Sequence, residues 1–163
     1  MKIRILFVCH GNICRSPMAE FVMKKLVRDL PAELQQGAAQ SQLKDVEFEI
    51  ASAATSTEEI GNGVHHGTTR KLAQYGISTI GKTAIQLRKS DYEKYDMLIC
   101  MDSWNVRNTM RIIGSDKDEK VTKLLSFAGE GGDIADPWYT GNFDDTYDDV
   151  LRGCEGLLSY LGY

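Results

Sequence analysis

The chain has 163 residues, of which 42% are hydrophobic and 26% are charged, a composition typical of a globular protein rather than a disordered one. The formal net charge is −4, and the basic residues form no stripe of the kind that binds nucleic acid. No apolar run approaches the ~20 residues that a membrane span requires. The sequence therefore predicts a single domain over residues 1–163, with neither nucleic acid nor a membrane as a partner.

The first predicted element is a strand over residues 3–8, where an apolar run rich in branched side chains ends at Cys9. The chain runs from Met1 almost directly into this strand, and the segment lacks a small-residue cleavage site. A signal or transit peptide is therefore not expected, and the sequence predicts a cytoplasmic protein.

The loop after this strand carries the strongest chemical signal in the chain. Five residues separate Cys9 from Arg15, and Ser16-Pro17 is a typical helix start. Backbone N–H groups of such a loop, with those of the first helical turn, can surround an anion. We therefore expect Cys9 to be a nucleophile and Arg15 to hold a phosphate group. The predicted phosphate-binding residues are their neighbours in the loop: His10, Gly11, Asn12, Ile13, Cys14 and Ser16.

The residue types of this loop suit thiol chemistry. A helix N-terminus and a nearby guanidinium lower the pKa of a cysteine from its usual value of about 8.5, so Cys9 is expected to be a thiolate. The Ser16 hydroxyl can donate a hydrogen bond to that thiolate. Gly11 and Asn12 tolerate the positive φ angles that a tight cradle needs.

The elements that follow alternate between helices and strands. Apolar residues at helical spacing predict a helix that ends at Leu30-Pro31, and residues 31–45 are interpreted as a flexible or partly helical surface connection. Further strands are predicted over residues 46–51, 97–101 and 121–125, and further helices over residues 66–75, 90–93, 104–113 and 144–160. Right-handed crossovers then predict an α/β fold, a three-layer α/β/α sandwich with a central, about four-stranded parallel sheet. Ligands bind at the carboxyl ends of such strands, where the Cys9 loop falls.

A proton donor is expected at Asp136. Displacing an alcohol or phenol from phosphorus leaves an oxyanion that must be protonated. Pro137 favours an extended backbone at Asp136, and the aromatic pair Trp138 and Tyr139 can hold this loop against a phenyl ring and exclude water. Asp136 is the predicted general acid, whereas the acidic run over residues 144–149 is interpreted as a solvated helix start.

Together these motifs resemble those of the low molecular weight protein tyrosine phosphatases. The resemblance rests on residues 8–20, on residues 136–138, and on shorter matches at residues 52–54, 75–77 and 96–102. It implies a phosphoric monoester hydrolase that acts on phosphotyrosine proteins and small aryl phosphates through a phosphocysteine intermediate, with inorganic phosphate as the product. It implies neither a metal nor another cofactor.

Ile13 bears on the choice of substrate, because an apolar side chain at the mouth suits a phenyl ring. In the similar bacterial protein-arginine phosphatases this position is typically Thr, so Ile13 favours phosphotyrosine. A protein-arginine phosphatase and an arsenate reductase on the same fold are the alternatives, although a reductase needs a close pair of late cysteines and Cys100 and Cys154 lie far apart. A non-enzymatic phosphate-binding module is disfavoured, because binding alone needs neither Cys9 nor Asp136.

Two departures from the family pattern affect the expected site. Many members carry an aromatic residue after the segment that matches residues 52–54, whereas residues 55–59 offer none, so one wall of the aromatic slot is expected to be missing. Eukaryotic members often have His where Tyr75 stands, which calls the usual support of Asn12 into question. His65-His66 is interpreted as a surface pair without a role.

The remaining cysteines are expected to differ from Cys9. Cys100 and Cys154 fall in apolar segments and are interpreted as core residues. Cys14 shares the anion loop with Cys9, so it can capture an oxidised Cys9 as a disulfide.

Overall fold

A computed structural model describes residues 1–31 and 46–163 of the chain. The predicted surface connection over residues 31–45 lies, apart from Pro31, outside the described residues. The described elements, in chain order, are β1 (Lys2–Cys9), α1 (Arg15–Arg28), β2 (Glu47–Ala54), α2 (His66–Ala73), α3 (Asp91–Lys94), β3 (Met97–Cys100), α4 (Ser103–Ile113), β4 (Val121–Lys123), a 3₁₀ helix (Leu124–Ala128), α5 (Pro137–Thr140) and α6 (Phe143–Tyr160).

The four strands form one sheet in the order β2-β1-β3-β4, and every neighbouring pair is parallel. The predicted four-stranded parallel sheet is therefore confirmed. Strand β2 continues beyond the predicted residue 51 to Ala54, and Leu124 and Leu125, which were predicted in the last strand, begin the 3₁₀ helix instead.

Alternation along β1 explains the three layers, because successive side chains of a strand point to opposite faces of the sheet. Ile5 and Phe7 are fully buried in one core, which includes side chains from α1 and α6. Leu6 and Val8 are buried in a second core on the other face, which includes Ile113 at the end of α4. Burial of each large side chain contributes about 2 kcal/mol, so both faces of β1 favour its central position.

The order of the strands brings the carboxyl ends of β1, β2 and β3 together at one edge of the sheet. β1 pairs with β2 on one side and with β3 on the other, so their carboxyl ends meet at a switch in chain direction, where open α/β sheets bind ligands. In register, Cys9 lies beside Ala54, and Val8 lies beside Cys100. The loops after Cys9, Ala54 and Cys100 therefore share one edge.

In the part of the chain that the structure describes, none of the helices has the length and apolar character needed to span a membrane.

Candidate active site

The loop after β1 is held to its surroundings through its carbonyl groups. The carbonyl oxygens of Cys9 and His10 accept hydrogen bonds from backbone N–H groups that follow β2, and that of Ile13 accepts one from the N–H of His65 at 2.9 Å. The carbonyl of Cys14 accepts from the Thr68 hydroxyl at 3.2 Å. Because these carbonyls are occupied by neighbouring elements, the loop can offer its N–H groups to an anion.

The backbone of the loop agrees only in part with the sequence prediction. Asn12 has a φ of 58°, as expected for the tight turn, whereas Gly11 is not in the left-handed region, so a positive φ at Gly11 was a wrong prediction. One left-handed residue is sufficient to close the turn. Cys14 is the N-cap of α1, and within the described residues its side chain makes no capping hydrogen bond to the first helical turn. The N–H groups of that turn therefore remain available to a ligand.

The sulfur of Cys9 lies at the base of this loop and is 3% exposed as a residue. It accepts a hydrogen bond from the backbone N–H of Asn12 at 3.3 Å and lies 2.9 Å from the hydroxyl of Ser16. Both groups can donate to the sulfur, which would stabilise a negative charge there. This geometry suits a thiolate nucleophile at the N-terminus of α1.

Asn12 is fully hydrogen-bonded, although Tyr75 replaces the family His. Its Nδ2 donates to the hydroxyls of Ser16 and Ser52 at 2.7 and 2.9 Å, and its Oδ1 accepts from the N–H of Ile85 at 3.1 Å. Tyr75 instead stacks on Tyr147, with ring centroids 4.3 Å apart. Asn12 is therefore supported by Ser16, Ser52 and Ile85, without a contribution from Tyr75.

Arg15 is buried, and its guanidinium is fixed by groups from three parts of the chain. Nη1 donates to Oδ2 of Asp102 at 2.6 Å and to the carbonyl of Ile134 at 2.9 Å, while Nη2 lies 3.4 Å from Oδ2 of Asp136. Burial works to lower the pKa of Arg15, but Cys9, Asp102 and Asp136 outweigh it and hold that pKa above its usual value. Arg15 is therefore a permanent cation beside the sulfur.

Asp102 is a functional residue that the sequence prediction missed. It is the N-cap of α4, where its Oδ1 accepts from the N–H of Asn105 at 2.7 Å while its other oxygen holds Arg15. The available signal was an acidic residue directly after a buried strand, followed three residues later by Asn105 in a capping box. That pattern predicts a helix start, but it does not predict an ion pair with Arg15, the first residue of α1.

Asp136, the predicted general acid, is the N-cap of the short helix α5. Its Oδ1 accepts from the N–H of Trp138 at 3.0 Å, and Pro137 occupies the first helical position. Trp138 and Tyr139 remain 56% and 83% exposed, so their rings are free to contact a substrate. Asp136 and both aromatic residues thus lie on one short helix and its N-cap.

These groups surround a pocket of about 110 Å³. All the predicted site residues line the pocket except Asn12 and Ser16. These two residues instead contact the sulfur of Cys9. The complete lining is Cys9, His10, Gly11, Ile13, Cys14, Arg15, Glu58, Glu59, Asp136, Trp138 and Tyr139.

Residues 55–59, which contain no aromatic residue, contribute two carboxylates to the lining of the pocket. Glu58 pairs with Nε2 of His10 at 3.0 Å, and Glu59 accepts from Nδ2 of Asn62 at 2.7 Å. The sequence prediction did not assign a role to either glutamate. The pocket therefore has two carboxylates in its lining beside the aromatic rings of Trp138 and Tyr139.

His65 is more than the surface residue that the sequence predicted. Its backbone N–H holds the carbonyl of Ile13, and its ring lies edge-on to Trp138 at 5.6 Å and stacks on Phe143 at 5.2 Å. Burial, together with the neighbouring His66, lowers the pKa of His65. His65 therefore connects the phosphate loop with the loop that carries Asp136.

All four cysteines of the chain are free thiols, and all lie within the described residues. Burial, followed by the proximity of Cys9 and Asp136, raises the pKa of Cys14 to about 12. Burial also raises the pKa of Cys100 to about 12 and raises that of Cys154. These three thiols are therefore protonated at neutral pH, and the predicted burial of Cys100 and Cys154 is confirmed.

Comparison with known proteins identifies close relatives of this arrangement. Residues 4–162 match the sequence model of a family described as low molecular weight phosphotyrosine protein phosphatase. The low molecular weight protein-tyrosine-phosphatase YfkJ of Bacillus subtilis is 37% identical over 163 residues, covering 98% of this chain and 96% of YfkJ. PtpA of Staphylococcus aureus, which carries the same description, is 33% identical over 96% of this chain and 92% of its own length.

Solved structures show the same likeness in three dimensions. The crystal structure of YfkJ superimposes with a TM-score of 0.85, covering 99% of this chain and 95% of YfkJ, at 33% identity in the structure-based alignment. The low molecular weight protein tyrosine phosphatase of Streptococcus pyogenes superimposes with a TM-score of 0.79 at 37% identity, over 99% of this chain and 94% of its own. The likeness thus spans the whole fold.

Proposed function

This chain belongs to the low molecular weight protein tyrosine phosphatases and hydrolyses phosphotyrosine, and we propose that it does so through a phosphocysteine formed on Cys9. The observation that carries the proposal is the position of one sulfur. Cys9 accepts a hydrogen bond from the N–H of Asn12 and contacts the Ser16 hydroxyl at the N-terminus of α1, beside the buried cation Arg15, in a pocket that also contains Asp136. Nucleophile, anion clamp and proton donor therefore face one phosphate-sized space.

In the first half of the reaction the Cys9 thiolate attacks phosphorus in line with the leaving phenol. The S–P bond forms as the P–O bond to the phenol breaks, and Arg15 with the loop N–H groups stabilises the equatorial oxygens. Asp136 gives its proton to the leaving oxygen. Phosphate displaces the weaker 3.4 Å contact between Arg15 and Asp136, which frees Asp136 for that transfer.

In the second half Asp136 acts as a base. As a carboxylate it takes a proton from water, whose oxygen attacks the phosphorus of phosphocysteine. The P–S bond breaks, inorganic phosphate leaves, and the thiolate of Cys9 is restored. The Ser16 hydroxyl, 2.9 Å from the sulfur, stabilises the departing thiolate.

Phosphotyrosine fits this pocket better than phosphoarginine. Ile13 presents an apolar side chain at the loop, and the exposed rings of Trp138 and Tyr139 line the same mouth. A phenyl ring gains from apolar and aromatic contacts of this kind. Small aryl phosphates are substrates for the same reason.

We also propose where the enzyme acts and which partners it has. Residues 1–163 form a single phosphatase domain that acts in the cytoplasm, where its free thiols remain reduced. Its partners are a phosphotyrosine protein and inorganic phosphate, with no nucleic acid or membrane partner.

One comparison of substrates tests this function. Steady-state hydrolysis of an aryl phosphate and of a phosphotyrosine peptide is measured beside phosphoarginine hydrolysis and thiol-coupled arsenate reduction. We expect kcat/KM to be highest for the phosphotyrosine peptide and the aryl phosphate, with Cys9→Ser inactive toward both. Preference for phosphoarginine, or arsenate reduction that consumes thiol at a comparable rate, would contradict the assignment.

A further inference from the structure

Glu59 contributes a carboxylate to the lining of the active-site pocket, and this carboxylate is held in place from two sides. The aliphatic part of the side chain packs beside Gly11, where an added Cβ would lie 3.4 Å from Cγ of Glu59. Asn62 donates twice to Glu59, from its backbone N–H to the carbonyl at 2.9 Å and from Nδ2 to Oε2 at 2.7 Å. Glu59 is therefore fixed against the phosphate loop.

The second oxygen of this carboxylate is available to a ligand. In the part of the chain that the structure describes, Glu59 forms no ion pair, and Oε2 is the carboxylate oxygen that is hydrogen-bonded, whereas Oε1 is not. Among the described residues that line the pocket, the one Lys or Arg is Arg15, which already pairs with Asp102 and Asp136. The pocket thus contains an oriented acceptor whose charge no protein cation balances.

The charge of Glu59 acts on the phosphate loop. Burial is the main reason that the pKa of Cys14 is raised to about 12, and the negative charge of Glu59 adds to that effect. The same charge repels the phosphate group of a substrate, because like charges in one pocket disfavour each other. A carboxylate at this position therefore favours binding only when the substrate also brings a positive group.

A phosphotyrosine protein brings such a group when a residue next to the phosphotyrosine is basic. With the phosphate on Arg15 and the phenyl ring beside Ile13, the neighbouring residues of the substrate lie at the mouth of the pocket. Lys and Arg have long side chains with several N–H donors, which suit a carboxylate oxygen. Trp138 and Tyr139, 56% and 83% exposed, offer ring faces that attract a cation as well.

We propose that Glu59 is a specificity-determining residue, which selects phosphotyrosine proteins that carry Lys or Arg directly beside the phosphotyrosine. The inference rests on the proposed function and names the class of its protein substrates. The ammonium or guanidinium of the substrate donates to Oε1 of Glu59. An acidic neighbour of the phosphotyrosine meets a like charge there and is disfavoured.

Glu58 lies beside Glu59 in the lining of the pocket, but it is expected to contribute less. Its Oε2 pairs with Nε2 of His10 at 3.0 Å, and its side chain is 69% exposed. Water screens a charge at such an exposed position, and holding a mobile side chain in one geometry costs entropy. The selection is therefore assigned to the partly buried and anchored carboxylate of Glu59.

The experiment measures kcat/KM for three phosphotyrosine peptides that are identical except for the two residues that flank the phosphotyrosine, which are both Lys, both Ala or both Glu. In wild type we expect the Lys peptide to exceed the Ala peptide about fivefold, the upper range for a partly exposed ion pair, and the Glu peptide to be the poorest substrate. These differences should shrink in 1 M salt, where the screening length falls to about 3 Å.

Two variants separate the role of Glu59 from the net charge of the protein. Glu59→Gln keeps an amide oxygen for Asn62 and should lower the ratio of the Lys to the Glu peptide about fivefold. For a small aryl phosphate, which has no flanking residue, its kcat/KM should not fall, because the change removes a charge that repels phosphate. Glu47→Gln removes the same charge at the opposite end of β2, where the side chain is 74% exposed, and should keep the wild-type ratio.

The outcomes distinguish this inference from the function on which it rests. Equal kcat/KM for the three peptides in wild type, an unchanged ratio in Glu59→Gln, or the same fall in Glu47→Gln would overturn the role of Glu59. So would an equal loss on all peptides and on the aryl phosphate, or a larger change of the ratio in Glu58→Gln. A wild-type protein that hydrolyses none of the peptides would instead overturn the proposed function. If thermal unfolding shows that Glu59→Gln is not folded, Glu59→Ala decides.

Discussion

Asp102 holds Arg15 through a buried ion pair in which Nη1 of Arg15 lies 2.6 Å from Oδ2 of Asp102, with side chains 3% and 17% exposed. The carboxylate is itself fixed, since its other oxygen caps α4. This arrangement leaves Nη2 as the arm of the guanidinium that faces the pocket and Asp136. A bound phosphate thus meets a guanidinium that is already oriented.

The first prediction follows from this pair. Asp102→Asn should raise KM and weaken inhibition by phosphate, together lowering kcat/KM by about 10-fold or more, because Arg15 loses its anchor. Steady-state kinetics with an aryl phosphate measure the effect. Asp116→Asn is the control, since Asp116 is likewise a hydrogen-bonded carboxylate, but its partners are Tyr92, Lys120 and Val121. Equal losses in both variants would argue that Asp102 acts on stability rather than on Arg15.

Replacing the nucleophile should separate binding from turnover. Cys9→Ser should abolish turnover and still bind phosphate or vanadate, because Arg15 and the loop N–H groups remain in place. Isothermal titration with the ligand, beside an activity assay, checks both parts. Turnover near the wild-type rate in Cys9→Ser would refute the covalent mechanism.

The role of Asp136 predicts a dependence on the leaving group. Asp136→Ala should slow aryl phosphates most when the leaving phenol is strongly basic, because a good leaving group needs little protonation. A series of substituted phenyl phosphates, assayed in wild type and variant, gives the two slopes of log kcat/KM against phenol pKa. A uniform loss across the series would indicate another general acid.

The two cysteines of the phosphate loop should differ in reactivity. Because the pKa of Cys14 is raised to about 12, its thiol is protonated at neutral pH, and limited alkylation should modify Cys9 alone. Mild peroxide should convert Cys9 to a sulfenic acid, which Cys14 then attacks with loss of water to form a disulfide. Dithiothreitol should restore the wild type but not Cys14→Ser, in which oxidation continues.

Cys100→Ser is the matched control for this redox prediction, because Cys100 is also buried and has a pKa raised to about 12, but it lies in the second core. It should recover like wild type. Peptide mass spectrometry should find the Cys9–Cys14 linkage after peroxide. Its absence, or full recovery of Cys14→Ser, would leave Cys14 as a packing residue of the loop.

The parts of the site that the sequence could predict are local in the chain. The strand, loop and helix from Ile3 to Ser16 lie within a few residues of one another, so the pattern of residue types describes the cradle directly. Asp136 could be predicted for the same reason, because a proline and two aromatic residues directly follow it in the chain. The apolar run from Ile3 to Val8 likewise predicted a buried strand.

The parts that could not be predicted depend on the register of the sheet. Asp102 reaches Arg15 because β3 pairs beside β1, which brings the residues after Cys100 to the loop after Cys9. In the same way, the segment after β2 brings Glu58 and Glu59 to the pocket and His65 to Trp138. No single stretch of sequence contains both partners of these contacts, so their chemistry emerges only when the strands are assembled.

Rapid-quench trapping measures whether the phosphoryl group is transferred to Cys9. Asp136→Ala is mixed with a radiolabelled aryl phosphate that has a good leaving group, so that the intermediate forms readily but lacks the base for its hydrolysis. The protein is quenched, digested and mapped. Label is expected on the peptide that contains Cys9, and no label is expected in the Cys9→Ser protein. Label on another residue, or turnover with no labelled protein at any time, would contradict phosphoryl transfer to Cys9.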